Sequence, residues 1–461
     1  MMSKQEMLSA MDQMDPEVLA VSRELWNHPE TSGEEQYSAD FLRSVLRKNG
    51  FAVTDVPGMP HAFRAEYGTG APVIGILGEY DALPGLSQDA SATRHQPLRE
   101  GAPGHGCGHN LLGGASLGAA LGLKYMLEHG GVSGTVRFYG CPGEETLDGK
   151  THMVAAHAFD GCDAALSWHP MTSNTPYTGA YLANASVRFY FKGKTAHASF
   201  SPHLGRSALD AVELMSVGAN YLREHVIDKA RIHYTTDSGG FTPNIVPDRA
   251  ESWYYVRAPR ISDVYGILDR LKDVARGAAL MTGTTVEFKT VSGCCEMLPN
   301  RVMEKITRNN METIPTPVYT EAEERFAAEL LKNIPPEQLA RERETYGCDA
   351  DSAPAIFRGV SDYETARRAE LPGSSDSGDV SYNMPMSLFT AACAPLGATS
   401  HTWIITACAG SGIGEKGMLY AARVLAGTGY DLLTDGASLK AAQEEFRKVS
   451  ATHPYTPIQA D

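Results

Sequence analysis

The sequence predicts an α/β protein, a mostly parallel-sheet domain carrying an inserted ferredoxin-like β-α-β-β-α-β unit. Three observations predict it. Short apolar runs in the first 170 residues end in acidic or histidine residues at Pro or Gly turns, and they alternate with helical segments. After residue 183 the rhythm changes to half-exposed alternation. The chain has 461 residues, more than one average domain.

The elements follow in order. Residues 16–49 carry an amphipathic helical pattern broken by NHPETSGEE, which reads as a helix end, a loop and a newly capped start. APVIGILGEYDALPG (71–85) reads as a buried strand delivering Glu79 and Asp81 at its carboxyl end. A polar loop spans 87–103, and NLLGGASLGAALGLKYMLEHGG (110–131) is a small-residue helix stopped by Gly-Gly. GTVRFYGCPGEE (134–145) and CDAALSWHP (162–170) are further strands ending at turns. In parallel sheets ligands sit beyond the carboxyl ends of strands. Asp81, Glu144, Glu145 and His169 fall there.

The second unit reads as strand (185–194), helix (207–225), two strands (230–240 and 250–259), helix (262–281) and a closing strand at TTVEFKTV. The expected division is 1–182 and 292–461 for the first domain and 183–291 for the insert. Residues 334–370 are polar and charge-rich and read as a surface excursion. SLFTAACAPLGATSHTW (387–403) reads as one more core strand and a loop carrying His401. A closing helix follows, and the C-terminal tail reads as polar.

Composition limits the function classes. Net charge is −15, which argues against nucleic acid or an anionic membrane as the main partner. No apolar run reaches the roughly 18 residues of a membrane helix. The eight cysteines are scattered, no C-x-x-C pair occurs, and the first residues lack a signal-peptide core. The expectation is a cytoplasmic protein with reduced thiols.

Chemistry-bearing groups gather at the strand ends of the first domain: His105, Cys107, His109, Glu144, Glu145, His169 and His401. Taken singly, each has an ordinary reading as a satisfied histidine, an inert buried thiol or a solvated helix start. Taken together, thiolate, imidazole and carboxylate are the ligand set of zinc and similar divalent metals. Cys107 and His109 are two apart, so one loop can present both. Adjacent Glu144 and Glu145 point in different directions, so one can bind metal while the other faces a water. Five candidate ligands and a spare carboxylate fit a two-metal site better than a four-ligand structural site. Residue types and spacing alone leave both readings open.

GEYDALPG, GHGCGHN, CPGEE, WHP, GKTAHAS and PNIVP, in this order, resemble the co-catalytic metallopeptidase and amidohydrolase family of glutamate carboxypeptidases and aminoacylases. Within it they match the Cys-Gly-His branch that includes indole-acetyl-amino-acid hydrolases. The resemblance covers nearly the whole chain. It implies an amidohydrolase holding two divalent metal ions per chain, with Mn2+ favoured by the likeness. Cys and His donors suit Zn2+ at least as well. Cys107 is implied as the bridging thiolate, His109 and Glu145 as terminal ligands, His169 and His401 as completing the shells, and Glu144 as general base.

The resemblance also assigns the insert as a dimerisation (lid) domain. Its His197 would reach the partner's site to polarise the scissile carbonyl, and Asn244 would contact substrate. Arg257 is a candidate clamp for a substrate carboxylate, with a structural ion pair as its alternative. The implied substrate is a small N-acyl amino acid, p-aminobenzoyl-glutamate foremost, with indole-acetyl-aspartate or an unusual dipeptide as alternatives. A homodimer through the insert is expected, with pairing to a homologous second chain or a non-catalytic assembly role as the other readings. The wider family carries His-x-Asp at the first strand end, where this chain has Glu79-Tyr80-Asp81. Asp81 is therefore expected to support a ligand or cap a turn.

Overall fold

The structure, a computed structural model, describes residues 2–176, 181–348, 354–362, 365 and 373–458. Its larger sheet has seven strands in the order β1-β2-β4-β3-β5-β11-β6. Here β1 is Ala52–Val56, β2 Met59–Thr69, β3 Val73–Glu79, β4 Gly134–Cys141, β5 Ala164–Met171, β6 Thr175–Pro176 and β11 Met386–Ala392. The four central strands β4, β3, β5 and β11 run parallel. They are near-continuous apolar runs because helices cover both faces. Glu79 pairs in register with Cys141, so β3 and β4 end side by side at the rim where the polar groups emerge.

Helices α1 (Lys4–Met11), α2 (Asp15–Asn27), α3 (Gln36–Lys48) and α4 (His109–His129) surround the first half. α4 is buried along almost its whole length, and its glycines let neighbours approach. A Cβ on Gly114 would lie 2.6 Å from Met418 Sδ and 3.1 Å from Ser22 Cβ. Trp168 is fully buried and its indole N–H donates to Leu112 O at 3.2 Å. That bond ties β5 to α4 one residue before His169. Burying an aromatic of this size contributes about 3–5 kcal/mol against alanine.

The insert builds a separate antiparallel sheet, β10-β7-β9-β8, from β7 (Ala183–Lys192), β8 (Arg231–Ser238), β9 (Arg249–Ala258) and β10 (Thr285–Cys294). With α6 (Ala208–Leu222) and α7 (Ile261–Thr282), this is the β-α-β-β-α-β order expected. β10 continues to Cys294, past the expected boundary at 291. The insert's core also takes Tyr382 and Ile458 from flanking chain, so its packing is not self-contained.

One expectation needs correction, and two stretches hold elements that the sequence pattern leaves unassigned. Residues 52–69 form the antiparallel hairpin β1–β2. Residues 436–450 are a helix rather than a plain polar tail; they hold Leu439 and Ala442 against α8 (Arg301–Thr313), where Asn300 Nδ2 donates to Ala442 O at 2.9 Å. The charge-rich 334–370 stretch contains α10 (Pro336–Thr345), which walls the main cavity and is more than a surface excursion. Residues 349–353, 363, 364 and 366–370 of that stretch lie outside the described residues.

Candidate metal centre

Four segments deliver the candidate ligands: the turn into α4 with Cys107 and His109, the loop after β4 with Glu145, the end of β5 with His169, and the loop carrying His401. α4 begins at His109, and its N-cap Gly108 sits at φ 79°, a left-handed conformation that favours glycine. A Cβ there would also stand 2.8 Å from Pro170 Cγ. The glycine therefore lets Cys107 and His109 pack against the strand that carries His169. His401 also takes a left-handed backbone, φ 64°, and its N–H donates to Gly106 O at 2.8 Å. For a non-glycine residue this is a strained state that needs support. The bond fixes the His401 loop one residue from Cys107.

Cys107, His109 and His169 form one cluster of donor atoms, and Cys107, Glu145 and His401 form another. In each cluster the atoms lie within 4.8 Å of one another. Cys107 belongs to both. Its Sγ is 3.4 Å from His169 Nε2, and His401 Nε2 is 3.2 Å from Glu145 Oε2. A third cluster, Glu79, His109 and Glu144, joins the first through His109.

The imidazoles are oriented from behind. His169 Nδ1 is 2.9 Å from Pro170 O, and His109 Nδ1 is 2.8 Å from Asp81 Oδ1. With the proton on Nδ1 in each, Nε2 presents a lone pair to the cluster. Asp81 does more than face His109. Its Oδ2 accepts from the Glu145 N–H at 2.9 Å and from Ser32 Oγ at 2.8 Å. Burial alone would raise Asp81, but positive charge on the His109 side, from a proton or a metal ion on Nε2, and the hydrogen bonds from His109, the Glu145 N–H and Ser32 lower it.

Donors with nothing to bind test the fit of a cation. His109 Nε2, Glu79 Oε2 and Glu145 Oε1 are buried and make no hydrogen bond among the described residues. Buried polar atoms are rarely left so. Such atoms on His109 and Glu145, which cluster with Cys107, and on Glu79, which clusters with His109, fit divalent metal. Burial first, and then His109, brings His169 down to about 4, so it stays neutral as a ligand must. Burial first, and then Glu145, pushes the Cys107 thiol well up. A dication is the neighbour that reverses this and makes a thiolate. Burial, then Glu79 and Asp376, pushes the Glu144 carboxyl well above the usual range; a cation at the clusters acts in the opposite direction and favours the carboxylate.

The clusters open into a cavity of about 1060 Å³. Its walls carry Cys107, Glu144, Glu145, His169 and His401 from the first domain, Tyr255 and Arg257 from β9, and Gln338, Arg341 and Glu342 from α10. Arg257 Nε is buried and makes no hydrogen bond among the described residues. His197 and Asn244 do not line this cavity. They lie together in the insert, where His197 bridges to Ile245 and the Ala198 N–H donates to Asn244 O at 3.0 Å. His105 is buried with Nε2 3.0 Å from Leu25 O and belongs to none of the clusters.

Sequence reasoning passed over several groups. Glu79 was signalled by its place at a strand end. Glu35 reads as a helix-start acid, yet it is fully buried and accepts the Gly143 N–H at 2.8 Å, steadying the loop before Glu144. Lys150 and Asp376 form a buried pair across 226 residues, which no local pattern announces.

A family model, the M20 peptidase dimerisation domain, matches residues 183–281. A p-aminobenzoyl-glutamate hydrolase subunit from Escherichia coli (strain K12) is 43% identical over 447 residues, covering 94% of this chain and 93% of that protein. The chain belongs to the M20 peptidase family. It is thus a hydrolase acting on amide bonds, as the resemblance implies. A mouse M20 relative, an Xaa-Arg dipeptidase, is 29% identical over 93% of this chain and 88% of that one. Among solved structures, a dinuclear metal-binding M20 peptidase from Bacillus subtilis shares the fold with TM-score 0.59 at 18% identity, covering 92% of this chain and 99% of that one. An aminobenzoyl-glutamate utilization protein from Klebsiella pneumoniae does so with TM-score 0.57 at 18% identity, over 91% and 97%. No helix among the described residues is long and apolar enough to cross a membrane.

Proposed function

We propose that this chain is a dinuclear-metal amidohydrolase that removes an acidic amino acid from an aromatic acyl group, with p-aminobenzoyl-glutamate as its substrate. The observation that carries the proposal is the pair of donor clusters sharing Cys107. Cys107 would serve both ions, His109 and His169 would hold one, and Glu145 and His401 would hold the other. When bound, the ions polarise the scissile carbonyl and acidify a water. Glu144 takes the water's proton on a carboxylate oxygen and returns it to the departing amine nitrogen. The acyl carbon gains the hydroxyl, and the products are a carboxylic acid and an amino acid. Mn2+ is the proposed metal, with Zn2+ the alternative that the thiol and imidazole donors suit; metal analysis of the purified chain decides.

The cavity's charges favour an acidic leaving group. Arg257 and Arg341 are its cations beyond the metal centre. The carboxylate of Glu342 is already taken by the Thr172 hydroxyl. This arrangement suits glutamate and disfavours the arginine that the mouse relative's name specifies.

The insert is proposed to pair two copies, with the chain divided at 182/183 and 291/292. β8 is an edge strand, and Leu214, Val217 and Tyr221 of α6 are exposed. Phe200, whose ring lies 6.3 Å from that of His197, is 87% exposed, and Phe241 is 98% exposed. His197 Nδ1 accepts the Phe200 N–H at 3.1 Å, which leaves Nε2 to donate to a carbonyl in the partner's cavity. Asn244 Oδ1 accepts from Thr242 Oγ1 at 2.6 Å, which leaves its amide N–H groups for substrate. A homologous second chain is the other candidate partner, and the mass of the protein expressed alone separates the two. The free thiols support a cytoplasmic setting.

The test is kcat/KM on p-aminobenzoyl-glutamate, indole-acetyl-aspartate and an Xaa-Arg dipeptide, with Mn2+ or Zn2+ supplied. The first should lead. Preference for the arginine dipeptide would overturn the substrate, and no turnover by a chain carrying two ions would favour a non-catalytic assembly role.

A further inference from the structure

Lys150, the second residue of α5 (Gly149–Ala155), is fully buried beside the metal centre. Its Nζ lies 2.7 Å from Glu79 Oε1 and 2.5 Å from Asp376 Oδ1. Its backbone N–H donates to Asp376 Oδ2 at 2.7 Å. The ammonium thus joins the end of β3, the start of α5 and the segment before α11 (Ser377–Ser381). Gly149 permits the approach, since a Cβ there would fall 1.7 Å from Pro142 O.

A buried ammonium needs a reason. Removing a charge from water costs several kcal/mol, and a buried pair often stabilises no better than apolar packing of the same volume. Stability alone is a weak account of Lys150. The state of Glu79 offers a better one. The ammonium takes Oε1, while Oε2 makes no hydrogen bond among the described residues and stands 3.4 Å from His109 Nε2, which also makes none. Glu144 Oε2 completes this group at 3.9 Å from the same nitrogen.

We propose that Lys150 is a positioning residue of the metal centre: by holding Glu79 Oε1 it aims Glu79 Oε2 at the ion on the His109 side. Glu79 is then an additional oxygen donor for that ion, and Lys150 fixes its direction and offsets its charge. Among the described residues, Glu79 shares no donor cluster with Glu145 and His401. The inference rests on the dinuclear reading above.

The experiment compares wild type, Lys150→Met and the doubly neutral Glu79→Gln/Lys150→Met, loaded separately with Mn2+ and Zn2+. Equivalents bound are measured by elemental analysis, affinities by chelator competition and folding by Tm. Wild type should bind two equivalents. Lys150→Met should lose 10- to 100-fold in affinity for one ion and keep the other, as loss of a ligand's support does. It also leaves Glu79 and Asp376 buried without their cation; where it fails to accumulate folded, the double variant decides. Neutralising Glu79 as well should recover part of the lost Tm, with Asp376 still lacking its cation, while one ion remains weak. Two ions bound as tightly as in wild type by the folded double variant would overturn the role of Lys150 and Glu79. A wild-type chain binding fewer than two equivalents would instead overturn the dinuclear reading.

Discussion

Asp81 holds His109 through Nδ1 at 2.8 Å, and with its other oxygen it holds the Glu145 N–H at 2.9 Å. One buried carboxylate therefore orients donors from both clusters. Asp81→Ala should weaken binding of both ions, each by about 10- to 100-fold, whereas Lys150→Met should weaken one. Chelator competition on the metal-loaded protein reads this directly. A folded Asp81→Ala protein with wild-type affinity for both ions would reduce Asp81 to a turn residue.

Cys107 and Glu144 should separate metal binding from proton transfer. Cys107→Ser removes the donor common to both clusters, so metal content and turnover should fall together. Glu144→Gln keeps the shape and leaves the Cys107 clusters intact, so both ions should stay while kcat falls by about 10²- to 10⁴-fold. Elemental analysis beside initial rates checks the pair. Full metal content in Cys107→Ser would make the cysteine an inert buried thiol, and wild-type rates in Glu144→Gln would remove the proposed base.

The residues legible in the sequence were those whose place follows from local pattern. Runs such as VIGILGE and TVRFYGC announce buried parallel strands, and their turns put Asp81, Glu144 and His169 at one rim. The insert was legible because its strands alternate and its helices keep their spacing. What stayed hidden depends on distant contacts. Lys150 looks like an ordinary exposed lysine at a helix start until Asp376, 226 residues away, is folded against it. Glu35 looks like a capping acid, but Gly143 buries it. α10 is polar because one side faces solvent and the other lends Gln338, Arg341 and Glu342 to the cavity, so it carries no apolar stripe to mark it.

Glu342 provides a pH-dependent stability test away from the metal ligands. Burial raises its carboxyl, and the Thr172 hydroxyl bond offsets this only in part. A carboxyl raised by folding favours the fold fully below its unfolded value of about 4.3. That contribution is lost as pH climbs through the raised folded value. Glu342→Gln can still accept the Thr172 hydroxyl but carries no charge. Its Tm relative to wild type should therefore rise as pH goes from about 4.5 to 8. A difference that stays flat, or moves the other way, would mean that Glu342 is held as an ordinary carboxylate.

The two cavity arginines should divide the substrate between them. Arg257, with a buried Nε that makes no hydrogen bond among the described residues, is placed to take the carboxylate every N-acyl amino acid carries. Arg341, on α10, is placed to take a second carboxylate on the side chain. Loss of a charge-assisted bond costs about 1.5–3 kcal/mol, or roughly 10- to 150-fold in kcat/KM. Arg257→Ala should lower kcat/KM by that factor on both p-aminobenzoyl-glutamate and p-aminobenzoyl-alanine. Arg341→Ala should do so on the glutamate compound alone, because alanine offers nothing for it to bind. Equal losses on both compounds in Arg341→Ala would show that α10 shapes the cavity without reading the side chain, and no loss in Arg257→Ala would return that arginine to a structural role.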